Sequence, residues 1–240
     1  MNYNCDVKAT LNSNAEGNYI LRQKQYLLKN DLKIAKHLVK NKITNQLTLT
    51  KKYYSKNNYY KTKKNIYNKI QNALDHQKLL GIEGSFAKNY FTNIFSQLPW
   101  KYRLPRTKHD IPNYLLDIGY TLLFNIIDAE LRLFGFDTYK GYYHKLYFQR
   151  KSLTCDIIEP FRCIIDKQIV SSYNLGQIND KDFIYKNGRY FLDFEKSQKY
   201  VQIFSQTIMN YKKDIYQYIY SFYKEIFNET DNYPTFKIRG

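Results

Sequence analysis

The chain has 240 residues and a formal net charge of +17, with 43% hydrophobic and 18% aromatic residues. That composition excludes a disordered chain and supplies one real buried core, in a single domain. Nine glycines and five prolines suit helices better than a turn-rich β fold, and the positive charge points to an anionic partner, nucleic acid before an anionic membrane surface.

In chain order, residues 1–18 read as a short polar segment with a turn signal at NSNAEGN and no apolar run of the kind a secretory signal carries. A helical period begins near Tyr19. Leu28, Leu32, Ala35, Val39 and Ile43 recur at three- and four-residue steps, continuing weakly to Leu47 and Leu49. In KKYYSKNNYYKTKK, the lysines Lys51, Lys52, Lys56, Lys61, Lys63 and Lys64 stand with no acid among them, and two tyrosine pairs interleave. Lysines meet phosphates and tyrosines stack on bases, although the same run also reads as a solvated helix face in a chain rich in Lys and Tyr.

Helical patterning resumes at Ile66, Ile70 and Leu74. A further helix is expected to start near Gly81, with Phe86, Tyr90, Ile94 and Leu98 inward. LPWKYRLPRTKHDIPN is a basic loop punctuated by prolines, and Leu115 to Phe134 form a central buried helix. Asp117, Asp128, Glu130 and Arg132 interrupt that helix, so it is not a membrane span. GFDTYKGYYHKL is a second loop. SLTCDIIEPFRCIIDKQIV is a helix that Pro160, lacking an N–H, must kink or restart. Asn187-Gly188 between aromatic runs predicts a small β-hairpin. Val201, Phe204, Ile208, Tyr211, Ile215, Ile219, Phe222 and Ile226 predict one long terminal helix, whose aromatic face offers a surface for self-association. The three cysteines, Cys5, Cys155 and Cys163, are odd in number and lack a CxxC pair, which suits reduced thiols in a cytosol. The fold class is mainly α: a helical bundle over residues 19–240 with a short N-terminal extension and one small hairpin.

Three places set ionisable groups among apolar residues or glycines. Glu83 lies between Gly81 and Gly84, where small neighbours allow a ligand to approach the backbone; it also reads as ordinary charge compensation in a first helical turn. His144 follows Gly141 in a loop. Asp156 and Glu159 share a helix face at i, i+3 spacing, and Asp156 alone also reads as a charge near a helix N-terminus. Jointly they offer carboxylates and one imidazole, which suit Mg²⁺ or Mn²⁺, and a metal beside Lys and Arg has the parts for phosphoryl transfer on DNA.

IEGSFAKNYF resembles the E-G-x-x-A-x-x-Y-F/W segment of the CRISPR adaptation integrase, the universal CRISPR-associated endonuclease that inserts new spacers. IPNYLLDIGYTLLFNIIDAELRLFGFDTYKGYYH is similar to that family's run from an Asn-led helix to its histidine, and SLTCDIIEPFRCIID to its S-L-x-x-D-x-x-E-x-F-R-x-x-x-D segment. RQKQYLLKNDLKIAKHLVKNKITNQ is similar to the first helix of its helical domain, so the resemblance runs from Leu21 to Gly240. It implies a metal-dependent DNA integrase of helical fold, in which the 3′-OH of a short foreign DNA attacks a phosphodiester of a CRISPR array. By position, Glu83, His144 and Glu159 then bind the catalytic Mg²⁺ or Mn²⁺, with Asp156 as a catalytic helper. Asn113 and Arg162 are implied to touch DNA or to stand behind the ligands, and Lys51, Lys52, Lys61, Lys63 and Lys64 remain the candidate DNA contacts.

The implied partners are DNA, as spacer precursor and CRISPR repeat, a second copy of the chain at least, and a small adaptation protein; no membrane is implied. Family members usually begin with a β-rich domain. Here about twenty residues precede the first helical period, so a short form lacking most of that domain is expected. Two other readings stay open: a non-catalytic DNA-binding subunit on the same scaffold, and a transposon-borne relative that integrates its own ends.

Overall fold

The structure is a computed structural model and describes residues 18–28 and 31–239. The expected N-terminal segment 1–18 lies, apart from Asn18, outside the described residues, as do Cys5 and any N-terminal domain. The described chain is mainly helical with one two-stranded sheet. The helices are α1 (Tyr19–Leu27), α2 (Asp31–Thr50), α3 (Lys56–Gln71), α4 (His76–Ile94), α5 (Ile111–Leu133), α6 (Ser152–Ile158), α7 (Arg162–Asn174), α8 (Phe194–Met209) and α9 (Lys212–Asn228). The strands β1 (Phe183–Lys186) and β2 (Arg189–Leu192) pair antiparallel. Asn187 and Gly188 take φ of 53° and 75°, the left-handed pair that a tight hairpin turn demands.

Helix α2 packs on α3, α4, α7 and the 159–161 turn, while α5 packs on α6, α7 and α8. The 152–174 segment is therefore clamped between the two longest helices. Gly119 is what lets α5 close on α7, because a Cβ there would collide with the Ile165 side chain. Pro160 acts as its missing N–H requires: α6 stops at Ile158, residues 159–161 make one 3₁₀ turn, and α7 starts at Arg162.

Several boundaries differ from the sequence expectation. The first helical period is two helices, because Leu28 leaves α1 with extended backbone (ψ 116°) and α2 opens at Asp31. Helix α4 starts at His76, not near Gly81, because the Asp75 side chain caps it by accepting from the Lys78 N–H at 2.7 Å. Glu83 thus sits in the helix interior, and the reading of a first-turn charge falls away. Leu74 is exposed beyond the end of α3. The terminal helix is also two, broken at Asn210 and Tyr211, where Tyr211 N–H bonds back only to Ile208 at 2.9 Å. Phe222 and Ile226 are core residues, so they cannot be the proposed association face. The outward side of α9 carries Tyr216 and Tyr220 instead.

The chain after α9 is extended and is sewn to α2. Asn41 Nδ2 donates to the Phe236 carbonyl at 2.7 Å, and its Oδ1 accepts from the Phe236 N–H at 2.9 Å. Asn45 Oδ1 accepts from Ile238 at 3.0 Å, while its Nδ2 donates to the Pro160 carbonyl at 3.0 Å. Phe236 packs on Phe161 with ring centroids 4.5 Å apart. The tail thereby supports the turn that carries Glu159. Among the described residues no helix is long and apolar enough to cross a membrane.

Candidate active site

Four elements meet beside the 159–161 turn: α2, α4, the 141–144 loop and α6. Glu83 projects from α4 and Glu159 from the turn, and both reach the ammonium of Lys42 on α2. Lys42 Nζ lies 2.5 Å from Glu159 Oε2 and also contacts Glu83 Oε1. The Tyr143 hydroxyl donates to the other Glu83 oxygen, and Arg162 Nε donates to Glu159 Oε1 at 3.0 Å. Glu159 is only 4% exposed, and its Oε2 is buried without a hydrogen bond of proper geometry, so Lys42 meets it as a charge.

Burial alone would push the Glu159 carboxyl up. The Arg162 guanidinium and the Lys42 ammonium outweigh it and hold the group at about 2. Burial works against the Lys42 charge in the same way, and the Glu159 and Glu83 carboxylates reverse it, raising the ammonium above its ordinary range.

Asp156 is arranged differently. It is fully buried. Its Oδ2 accepts from the backbone N–H of Tyr142 at 2.6 Å and of Tyr143 at 2.9 Å. Its Oδ1 accepts from the backbone N–H of His144 at 2.8 Å and from His144 Nδ1 at 2.7 Å. A carboxylate only accepts, so Nδ1 carries a proton, and in the neutral ring that leaves the lone pair on Nε2. A Cβ on Gly141 would stand 2.8 Å from Asp156 Oδ2 and 2.9 Å from the His144 carbonyl oxygen, so only glycine admits this wrap. Asp156, expected as a helper beside the ligands, is enclosed by these donors and holds the 141–144 loop and the His144 ring in place.

Asn113 and Arg162 are both engaged within the chain. Asn113 has no exposed surface. Its Oδ1 accepts from Arg103 at 2.8 Å and from the Leu104 N–H at 2.9 Å. Its Nδ2 donates to the Tyr102 carbonyl at 3.0 Å and to Asp110 at 2.8 Å. It ties the basic loop to the start of α5, with its amide turned inward. The Arg162 side chain is 26% exposed and turned to Glu159, with its guanidinium 4.6 Å above the Tyr120 ring. Tyr120 and Tyr90 both donate to buried Asp166. Burial pushes that carboxyl up to about 6 despite those bonds.

Among the candidate DNA contacts, Lys51, Lys52, Lys61 and Lys64 are exposed and Lys63 is half-buried. They lie on the 51–53 turn and the first half of α3, and none pairs with an acid among the described residues. Apart from chain neighbours and the helix's own backbone, nothing stands within 4 Å of a Cβ built on Gly81 or Gly84, so no other element packs on α4 at these two positions.

Sequence reasoning missed Lys42, Tyr143 and the Asp166 cluster. One signal for Lys42 was available: Asn41, Lys42, Asn45 and Gln46 fall at helical spacing from Leu38 on the apolar face, and polar residues on a face that is to be buried need partners.

Residues 1–206 match the family described as CRISPR associated protein Cas1. The chain belongs to the Cas1 family. A CRISPR-associated endonuclease Cas1 of Thermodesulfovibrio yellowstonii is 28% identical over 239 residues, covering 92% of this chain and 75% of that protein. Some other Cas1 relatives match over about a third of their own length. Of solved structures, a partial Cas6-RT-Cas1–Cas2 complex superposes with a TM-score of 0.82 at 25% identity, covering 95% of this chain and 75% of that one. A casposase bound to integration product has the same fold, with a TM-score of 0.79 at 22% identity over 90% of this chain and 67% of that one.

Proposed function

We propose that this Cas1-family chain is a metal-dependent DNA integrase. In this reading the 3′-OH of a short DNA attacks a phosphodiester at the edge of a CRISPR repeat, the new O–P bond replaces the old one, and the released strand end takes up the proton. The observation that carries the reading is that Glu83 and Glu159, from distant parts of the sequence, meet on a single cationic atom.

The cofactor it implies is Mg²⁺ or Mn²⁺. Among the described residues no three acidic, His or Cys side chains converge closely enough to hold an ion. The donors still fit one in kind. Glu159 Oε2 is a buried, charged acceptor without a hydrogen bond, and the two carboxylates already converge on a cation. Glu83, Glu159 and Nε2 of His144 would hold the metal, which when bound polarises the phosphate and makes the attacking hydroxyl more acidic.

The remaining groups prepare that site. Asp156 fixes the His144 tautomer and the 141–144 loop. Arg162 and Tyr143 set the carboxylate planes of Glu159 and Glu83. The lysines of the 51–53 turn and α3 hold the DNA backbone, and their affinity depends on salt, not on sequence. The names of the relatives support DNA as substrate and product, and the Cas1–Cas2 complex supports a small partner protein. Two DNA ends call for at least two copies of the chain, acting in the prokaryotic cytoplasm where the array lies.

The test is joining of a labelled short duplex to a supercoiled plasmid carrying the native repeat array, with and without a Cas2 partner. The reading expects product that EDTA abolishes and Mn²⁺ restores, and none from donors ending in a 2′,3′-dideoxynucleotide. Joining from dideoxy ends would refute direct transesterification.

A further inference from the structure

Lys42 stands where no solvated lysine would. The residue is 8% exposed, is carried by the middle of α2, and lies among the buried amides of Asn41, Asn45 and Gln46. Its ammonium touches one oxygen each of Glu83 and Glu159, and the contact with Glu159 lacks hydrogen-bond geometry. These are the two carboxylates assigned above to the metal, so the inference rests on that assignment. The same oxygens cannot serve an ammonium and a divalent ion at full strength together.

We infer that Lys42 is a resident counter-ion of the metal site: it holds Glu83 and Glu159 together and is displaced when a divalent cation takes the same oxygens. Two physical consequences follow. Without Lys42, Glu83 and Glu159 bring two negative charges together, and the remaining Arg162 and Tyr143 contacts reach only the outer oxygen of each. A buried charge stripped of its partner is strongly destabilising. A metal entering that site would not have to displace an ammonium, so it would bind more tightly. Lys42 thus sets the ion affinity low and keeps the site formed while ions exchange. A lysine that only filled core space would affect stability equally with and without metal.

The experiment uses the full chain as wild type, Lys42→Met and the double variant Lys42→Met/Glu83→Gln. Mn²⁺ binding is read from the electron paramagnetic resonance signal of the free ion. Thermal melting is measured in EDTA and in Mn²⁺. The expected result is that Lys42→Met binds Mn²⁺ roughly tenfold or more tightly than wild type, the bias an opposite charge exerts at this range. It also melts below wild type in EDTA and recovers most of that loss in Mn²⁺. Adding Glu83→Gln removes the excess charge, raises the EDTA melting point again and abolishes the response to Mn²⁺.

Wild-type or weaker Mn²⁺ affinity in Lys42→Met, or a melting loss equal in EDTA and Mn²⁺, overturns the inference. If Lys42→Met yields no soluble protein, the double variant decides: soluble recovery supports the counter-ion and continued insolubility overturns it. Unchanged affinity in a protein whose DNA joining still needs Mn²⁺ removes the counter-ion and leaves the metal site standing. Joining that is indifferent to EDTA removes the metal site itself.

Discussion

Asp156 and Glu159 lie three residues apart on one clamped segment, yet their surroundings are opposite. Asp156 has both oxygens filled by four N–H donors from the 142–144 loop. Glu159 has one oxygen tied to Arg162 and the other facing Lys42 with no hydrogen bond. A carboxylate whose acceptors are filled by backbone N–H groups holds structure; one whose buried oxygen faces only a side-chain ammonium can exchange that cation for another. Spacing alone put the two acids in one class, and their donors separate them.

The comparison can be broken at several points. The largest effect is expected on the Glu159 side. Glu83→Ala and His144→Ala should each lower DNA joining by at least about a thousandfold, the scale of losing a main stabilising group for a charged transition state. DNA affinity, measured by fluorescence anisotropy, should stay near wild type. Retained joining in either variant would take that residue out of the site.

On the Asp156 side the first loss should be stability. Asp156→Ala leaves two buried backbone N–H groups, of Tyr142 and Tyr143, and the part-buried N–H and Nδ1 of His144 unpartnered, at about 1–3 kcal/mol for each unsatisfied buried group. A fall of several kcal/mol in denaturant unfolding is expected. Gly141→Ala should behave alike, because its Cβ would strike Asp156 and the 144 carbonyl. A stable, inactive Asp156→Ala protein would instead make Asp156 a participant in the chemistry.

A third pair sharpens the contrast through pH. Asp166 is pushed up to about 6 by burial, so between about pH 4 and pH 6 the unfolded chain ionises first and stability falls as pH rises. Glu159 is held at about 2, so it contributes stability above about pH 4.5 that is lost as pH falls through 2. Asp166→Asn should flatten the first window and leave the second; melting curves from pH 3 to 8 would read this.

The smallest effect concerns the rim. Changing Lys51, Lys52, Lys61, Lys63 and Lys64 to Gln should reduce the slope of log affinity against log salt by about 0.9 for each phosphate no longer neutralised. The central joining chemistry should be unchanged at saturating DNA. An unaltered slope would return this run to a solvated surface.

Much of this was readable from the residues, and the failures share a cause. Periodicity identified the buried faces of α2, α4 and α9, and the Asn187-Gly188 pair fixed the hairpin, because both signals are local. Helix ends were misplaced where the deciding interaction was a cap, as at Asp75, or a single residue, as at Asn210. Glu83, His144 and Glu159 stood out by their neighbours and were joined into one ligand set by the resemblance, while the residues that complete the arrangement were invisible to it. Lys42 and Glu83 meet only after α2 packs on α4, and Asn113 meets its partners in the basic loop only once that loop folds over it. Long-range pairing of buried polar groups leaves only a faint mark in a single sequence: polar residues on a face that should be apolar.

The most direct test of the account is the joining activity of Glu159→Gln in Mn²⁺, measured on the plasmid carrying the native repeat. The substitution keeps size and the Arg162-facing oxygen while removing the charge that a cation needs. The account predicts binding of donor DNA at wild-type strength with no joined product above background. Joining by Glu159→Gln at a rate close to wild type would contradict it.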